Sequence, residues 1–393
     1  MAHNGSMIDG KTEYKFATYL AVAYFIYMCS HYVGASSHAS RSIMYFGIGL
    51  PTLYFIFRHF SACLHRLKPF IPLAAFLIVA TLAECFALYG DPIKIGRYSA
   101  YLLLLGLSLS VLCRFPALLS KLFVAYALAS VAYLLLALYI WAAADQSTRV
   151  LIGDLNVTRS ALLTLCGLFA GWLFYAERRL LERGTVAYAA GFTLFGLATM
   201  LTALVFQSRS GMVSILLFLF IYALYRKRAT EVIGISIAAA ILLVFTGWYR
   251  LLLIRGTSYR TDIWADLAER VWSHCGLLFG CGSADTATFA ENFLNPHSGY
   301  LSTLYYHGVF AMVAFLIFAV FFFHRAWKVR TPFLLIAMPG WGGGIASSSG
   351  FIDGPEPQWV YFWIPSLIAL CLAQRSPVGA PNKNALHNVS VPA

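Results

Sequence analysis

A chain of 393 residues that is 60% hydrophobic and only 11% charged, with mean hydropathy +0.73, is not a soluble globule, whose charged fraction is about 25%. These figures predict an all-α polytopic membrane protein. The formal charge of +12 calls for no nucleic-acid partner, because the cations of a membrane protein gather on its cytoplasmic face beside anionic headgroups.

Apolar runs near the length of about 20 residues that crosses a bilayer predict about twelve spans. They are 16–33, 43–57, 70–89, 98–112, 118–143, 161–175, 185–206, 212–225, 232–248, 300–323, 332–345 and 359–372. The second, fourth and eleventh are short, as tilted pairs or re-entrant pieces would be. The first run lacks a small-residue cleavage site, so it is expected to stay as an anchor. With both termini cytoplasmic, 18 of the 28 Lys and Arg fall on one side and 10 on the other, the excess that this topology requires. The outer side then holds the one long polar interval. The chain divides into spans one to nine (1–248), that interval with its amphipathic helix and site residues (249–299), and spans ten to twelve with a cytoplasmic tail (300–393).

Glu84 is the one acid well inside an apolar run. Such a carboxylate is costly and by default functional; the plainer reading is a protonated or hydrogen-bonded Glu bridging two helices. Lys94 and Arg97 follow in a short outer loop, either holding an anionic headgroup or marking the membrane boundary. The segment 144–160 carries Val150, Leu151, Ile152 and Leu155, which suit a membrane surface. Ser208-Arg209-Ser210-Gly211 joins the seventh and eighth spans so tightly that Arg209 must sit at the outer interface. It either snorkels to headgroups or faces a phosphate beside two serine hydroxyls at a helix start.

The long interval contains Arg250, Arg255, Arg260 and Arg270, and arginine is favoured for bidentate phosphate or carboxylate recognition. Thr261 is a plausible N-cap for a helix running to about Trp272, with Ile263, Trp264, Leu267 and Val271 on one face. Cys275 and Cys281 either close a small disulfide ring or remain packed thiols. Pro296 suits the turn or the first helical position ahead of the tenth span, which places His297 at its lip as a cap, an interface residue or a catalyst. Asp353 and Glu356, in a later outer loop, are the rival acid-base groups.

Taken in order, the Ser-Arg-Ser-Gly junction, Arg260 and Trp264 in an R-x-x-x-W helix, Gly280 and Gly282 in a G-x-G turn, and Pro296-His297-Ser298-Gly299-Tyr300 with Gly308 downstream resemble the O-antigen ligase and polymerase superfamily. The resemblance covers about residues 207–308. It implies a GT-C-like, lipid-donor glycosyltransferase of the bacterial inner membrane with a periplasmic active site. The implied donor is a glycan on undecaprenyl diphosphate and the implied acceptor is the lipid A-core oligosaccharide, with no metal or other cofactor. No D-x-D pair occurs in the outer loops. Carried over residue by residue, Arg209 and Arg260 would bind the diphosphate, Ser208, Ser210, Tyr300 and Arg255 would add substrate contacts, and His297 would act as general base. The superfamily commonly has His-Asn where this chain has His297-Ser298, so an amide's hydrogen bonds would fall to a hydroxyl.

One dominant outer loop between the ninth and tenth spans favours a ligase. Polymerases of the superfamily often show two sizeable loops, and O-linked protein glycosyltransferases a larger outer region. A transporter of lipid-linked glycan is the alternative of another class. It predicts internal repeats or Gly/Pro-broken spans in matching halves, and the sequence shows neither clearly.

Overall fold

The structure, a computed structural model, describes residues 9–34, 37–60, 63, 65–144, 150–152, 155–247, 250, 259–286, 288–289, 293, 296–346 and 350–375. Among these every regular element is helical, and the only extended pairings are the isolated bridges Gly276–Gly280 and Phe289–Phe293. Among the described residues, seven helices are long and apolar enough to cross a membrane: His65–Phe86, Pro92–Leu112, Pro116–Ala143, Val157–Glu182, Thr185–Val205, Arg209–Arg226 and Gly299–Val329. The chain is therefore a multi-pass membrane protein. Where the sequence predicts further spans, the described residues hold helices that fall short of that length or hydropathy, among them Ala229–Ala238, Phe333–Ala346 and Trp359–Gln374, so seven crossings and not twelve are shown.

In lipid, apolar side chains gain nothing by leaving the tails for one another, so helices associate through close packing and interhelical hydrogen bonds. Both devices are present. Val22, Leu128, Leu135, Ile317 and Val320 stay exposed on the bundle surface. Inside, Tyr32 Oη lies 2.8 Å from Ser130 Oγ, Tyr133 Oη 3.1 Å from Ser160 Oγ, and Tyr126 donates to the Leu163 carbonyl at 2.9 Å. The Met338–Ala346 helix is rich in glycine, and a Cβ on Gly342 would lie 2.9 Å from Ser214 Cα. That absence of side chain lets its backbone press directly on the Arg209–Arg226 helix.

The ion pairs sort by end of the bundle. Glu13 meets Arg66 at 2.9 Å and Arg114 at 2.5 Å, and Glu177 meets Arg226 at 2.6 Å, all residues assigned to one side by the charge count. Glu356 lies between Arg41 at 3.0 Å and Arg159 at 2.8 Å, and Asp266 pairs with Arg270 at 2.7 Å, all from the other side. No ion pair among the described residues joins the two sets.

One span departs from a plain rod. Within Gly299–Val329 the backbone at Gly308 adopts φ 73°, ψ −174°, so the first two turns are a separate half-helix. The hydropathy profile gives no hint of this break. The carbonyls it frees on Tyr305 and Tyr306 accept from Cys281 N at 2.7 Å and Gly282 N at 3.0 Å. In return Val309 N donates to Leu277 O at 3.0 Å. The Cys275–Cys281 segment thus fills the notch in the helix.

Candidate active site

Three segments converge at the end of the bundle that carries Glu356 and Asp266. The first is the start of the Arg209–Arg226 helix. Ser208 caps it, its Oγ accepting from Gly211 N at 3.1 Å, and Ser208 and Ser210 are both buried. Ser210 Oγ has no hydrogen-bond partner among the described residues.

The second is the Arg260–Ser273 helix. Its apolar stripe is as the sequence predicts, with Ile263, Leu267 and Val271 buried together with Phe289 and Tyr305 in a small core apart from the main one. Its start differs. Tyr259, at φ 57°, turns the chain and the helix begins at Arg260, so Thr261 lies inside the first turn and is no cap. This places Arg260 at the helix's leading edge, where its Nη2 donates to the Ala346 carbonyl at 2.8 Å.

The third is the turn 296–298. Trp264 Nε1 donates to Pro296 O at 3.1 Å, fixing this turn to the amphipathic helix. His297 takes φ 53°, a left-handed conformation that histidine tolerates better than most residues. Its ring packs edge-on against Phe293, with centroids 5.6 Å apart. Half-buried, the imidazole is held below its ordinary pKa of 6.5, first by desolvation and then by the positive charge of Arg260. Both causes favour the neutral ring at neutral pH. Ser298 does the capping: its Oγ accepts from Leu301 N at 3.4 Å and lies 3.5 Å from the Gly344 carbonyl. The hydroxyl where the resembled superfamily carries Asn is thus engaged in starting the half-helix.

The end of Met338–Ala346 links all three. Tyr225 Oη donates to Thr331 O at 3.0 Å and Ser214 Oγ to Pro339 O at 3.2 Å, so this helix runs antiparallel to Arg209–Arg226. With Ser214 level with Gly342, four residues further along each, about 6 Å of rise, bring Ser210 level with Ala346. The start of the Arg209–Arg226 helix thus lies toward the same end of Met338–Ala346 as the Ala346 carbonyl that Arg260 grips and the Gly344 carbonyl beside Ser298.

Other expected site residues lie elsewhere or are engaged. Tyr300 donates to Trp341 O at 2.9 Å and its ring meets Phe315 and Phe351, tying it into the main core. Arg255 lies outside the described residues. Arg270 pairs with Asp266 and donates to Thr288 O at 2.8 Å. Lys94 Nζ donates to Ser283 O at 3.0 Å, and Arg97 lies over the Tyr98 ring. Glu356, one of the rival acid-base groups, is neutralised by two guanidiniums, and Asp353 Oδ1 accepts from Gly354 N at 2.8 Å. Cys275 and Cys281 are joined as a disulfide. Glu84 is a bridging carboxylate, as the plainer reading has it. The Ala346 and Gly344 carbonyls were missed, because backbone atoms leave no mark in a sequence.

No family model matches the chain and no solved structure matches it. Among known proteins it is similar to an O-antigen ligase of Pseudomonas aeruginosa (strain PAO1), with 28% identity over 159 residues. The similarity spans 38% of this chain and 39% of that relative's length.

Proposed function

We propose that the chain is a glycosyltransferase of the O-antigen ligase type, moving a polysaccharide from undecaprenyl diphosphate to the lipid A-core oligosaccharide at the periplasmic face of a bacterial inner membrane. The observation that carries this reading is Arg260 beside a half-buried His297 whose pKa is lowered, at the end of the bundle where the Ser208-Arg209-Ser210-Gly211 helix begins. The similarity to the Pseudomonas ligase supports the same class.

In this proposal neutral His297 takes the proton of the acceptor hydroxyl as that oxygen bonds to the anomeric carbon. The bond from that carbon to the diphosphate breaks, and its electron pair leaves on the diphosphate oxygen. Arg209 and Arg260 meet the developing charge, a preorganised electrostatic role that needs no proton donor. The Ser208 and Ser210 hydroxyls and Arg255 complete the substrate contacts, and Tyr300, bonded to Trp341 O, supports the site from the core instead of touching substrate. Attack opposite the leaving group inverts the anomeric centre. The topology has twelve spans, cytoplasmic termini and a periplasmic interval 249–299 between bundles 1–248 and 300–393.

The test is complementation of a strain lacking its own O-antigen ligase, read as the lipopolysaccharide ladder. The wild-type chain restores long capped species. His297→Ala lowers capping by about 10²–10⁴-fold, the usual worth of a general base, and leaves finished polysaccharide on its lipid carrier. Arg209→Lys is also poor, because an ammonium cannot supply the bidentate fork. Capping by single repeats would point to a polymerase instead, and unimpaired capping by His297→Ala removes the proposed base.

A further inference from the structure

The break at Gly308 separates the half-helix that carries the Ser298 cap and follows His297 from the rod beneath it, so something else must set its direction. At its inner end, ten residues beyond His297, stands His307, buried, with Nδ1 2.8 Å from Glu84 Oε1. Glu84 is 2% exposed and, among the described residues, meets no guanidinium, unlike Glu13 and Glu177 at the other end of the bundle. It accepts instead from Asp91 N at 2.7 Å, Ser283 N at 3.0 Å and Ser283 Oγ at 2.9 Å. One carboxylate therefore joins three segments: the 84–91 corner, the disulfide loop and the half-helix.

The loop is locked into the same corner by its backbone. Tyr89 N donates to Cys281 O at 2.8 Å and Ala284 N to Tyr89 O at 2.9 Å. Glycines make the approach feasible, since a Cβ on Gly282 would lie 2.3 Å from Tyr89 O and one on Gly280 2.6 Å from Tyr305 O. Carboxylate bonds to amides and an imidazole are directional and roughly twice as strong as neutral ones. A buried set in which both oxygens are used resists rotation in a way that apolar packing does not.

We infer that Glu84 is a positioning residue: through His307 and Ser283 it fixes the pitch of the 299–307 half-helix, and with it the placing of His297 against Arg260. This rests on the proposed transfer reaction for its kinetic consequence, though not for its structural one. Glu84 touches no reacting atom. Its effect is on the geometry of attack, where a displacement of about 1 Å costs on the order of 10²-fold in rate.

The experiment uses the full chain in detergent, with Glu84→Ala, Glu84→Gln and, as a control for losing any buried acid, Glu177→Gln. Amide hydrogen exchange is followed by mass spectrometry, and transfer is assayed with undecaprenyl-diphosphate-linked polysaccharide and rough lipopolysaccharide. Glu84→Ala is expected to speed exchange across 281–283 and 299–307 by at least about tenfold, leaving 311–329 and the Glu13 end unchanged. It is expected to lower kcat by about 10²-fold with KM within about threefold. Glu84→Gln, which keeps one acceptor oxygen, recovers part of both. Glu177→Gln changes neither. Unaltered exchange in 299–307, exchange that rises across the whole chain, or a loss confined to KM each overturns the proposal. Should the wild-type chain transfer nothing, the ligase reading fails while the exchange experiment still decides the positioning role.

Discussion

Replacing Gly308 by alanine tests how the notch in the Gly299–Val329 helix is built. The new Cβ would lie 2.3 Å from Leu278 O, 2.5 Å from Leu278 C and 2.6 Å from Gly280 N, all backbone atoms that cannot swing aside. Holding a side chain at φ 73°, ψ −174° costs about 1–3 kcal/mol, and forcing an extra methyl into a packed site costs about 1–3 kcal/mol more. The expected loss is thus about 2–6 kcal/mol, unless the chain escapes by closing the break into regular helix, which alanine favours. Either way Cys281 N and Gly282 N lose the carbonyls of Tyr305 and Tyr306, and the disulfide loop is expelled. Gly234→Ala is the matched control. It sits in the Ala229–Phe245 helix with nothing within 4 Å of its Cβ, and a glycine replaced there gains about 0.5–1 kcal/mol. Thermal unfolding in detergent and the capping assay read both. A Gly308→Ala protein that unfolds with the wild type and caps normally would refute the interlock.

Two more perturbations act on the same assembly. Trp264→Phe removes the donor to Pro296 O while keeping an aromatic ring, which costs about 1 kcal/mol of net hydrogen bonding; capping should fall by about tenfold or more while the unfolding temperature changes little, and full capping would separate the turn 296–298 from that helix. Opening the Cys275–Cys281 disulfide with a membrane-permeant reductant, or by Cys275→Ala with Cys281→Ala, should destabilise the loop by about 2 kcal/mol. Proteolysis should then cut within 276–284 first, and cleavage no faster than in the oxidised chain would show that the backbone pairing alone holds it.

Much of the helical bundle was legible because bilayer crossing leaves long apolar runs, and among the described residues no ion pair joins the two sets into which the alternating Lys/Arg count divides the chain. The amphipathic stripe of 260–273 was legible for the same reason, since Ile263, Leu267 and Val271 recur at helical spacing. Its exact start was not, because Tyr259 takes a left-handed conformation that no propensity rule assigns to tyrosine. Glu84 stood out as a solitary acid, but its partners Ser283 and His307 lie 199 and 223 residues away, beyond any local pattern. Gly280, Gly282 and Gly308 were visible as motif glycines. Their shared cause, three backbones meeting where no Cβ fits, needed the fold.

In the proposed reaction His297 works as a neutral base whose proton affinity is held down by burial and by Arg260. The most direct test is the pH dependence of kcat/KM for the wild type and Arg260→Gln. A group lowered from 6.5 in the folded protein stays neutral through neutral pH and is lost as a base only as pH falls through the lowered value. The wild-type acid limb should therefore lie below pH 6.5. Removing the cation should move that limb upward while lowering the plateau. An acid limb at or above the ordinary histidine value, or one that Arg260→Gln leaves in place or shifts downward, would rule out His297 as that base.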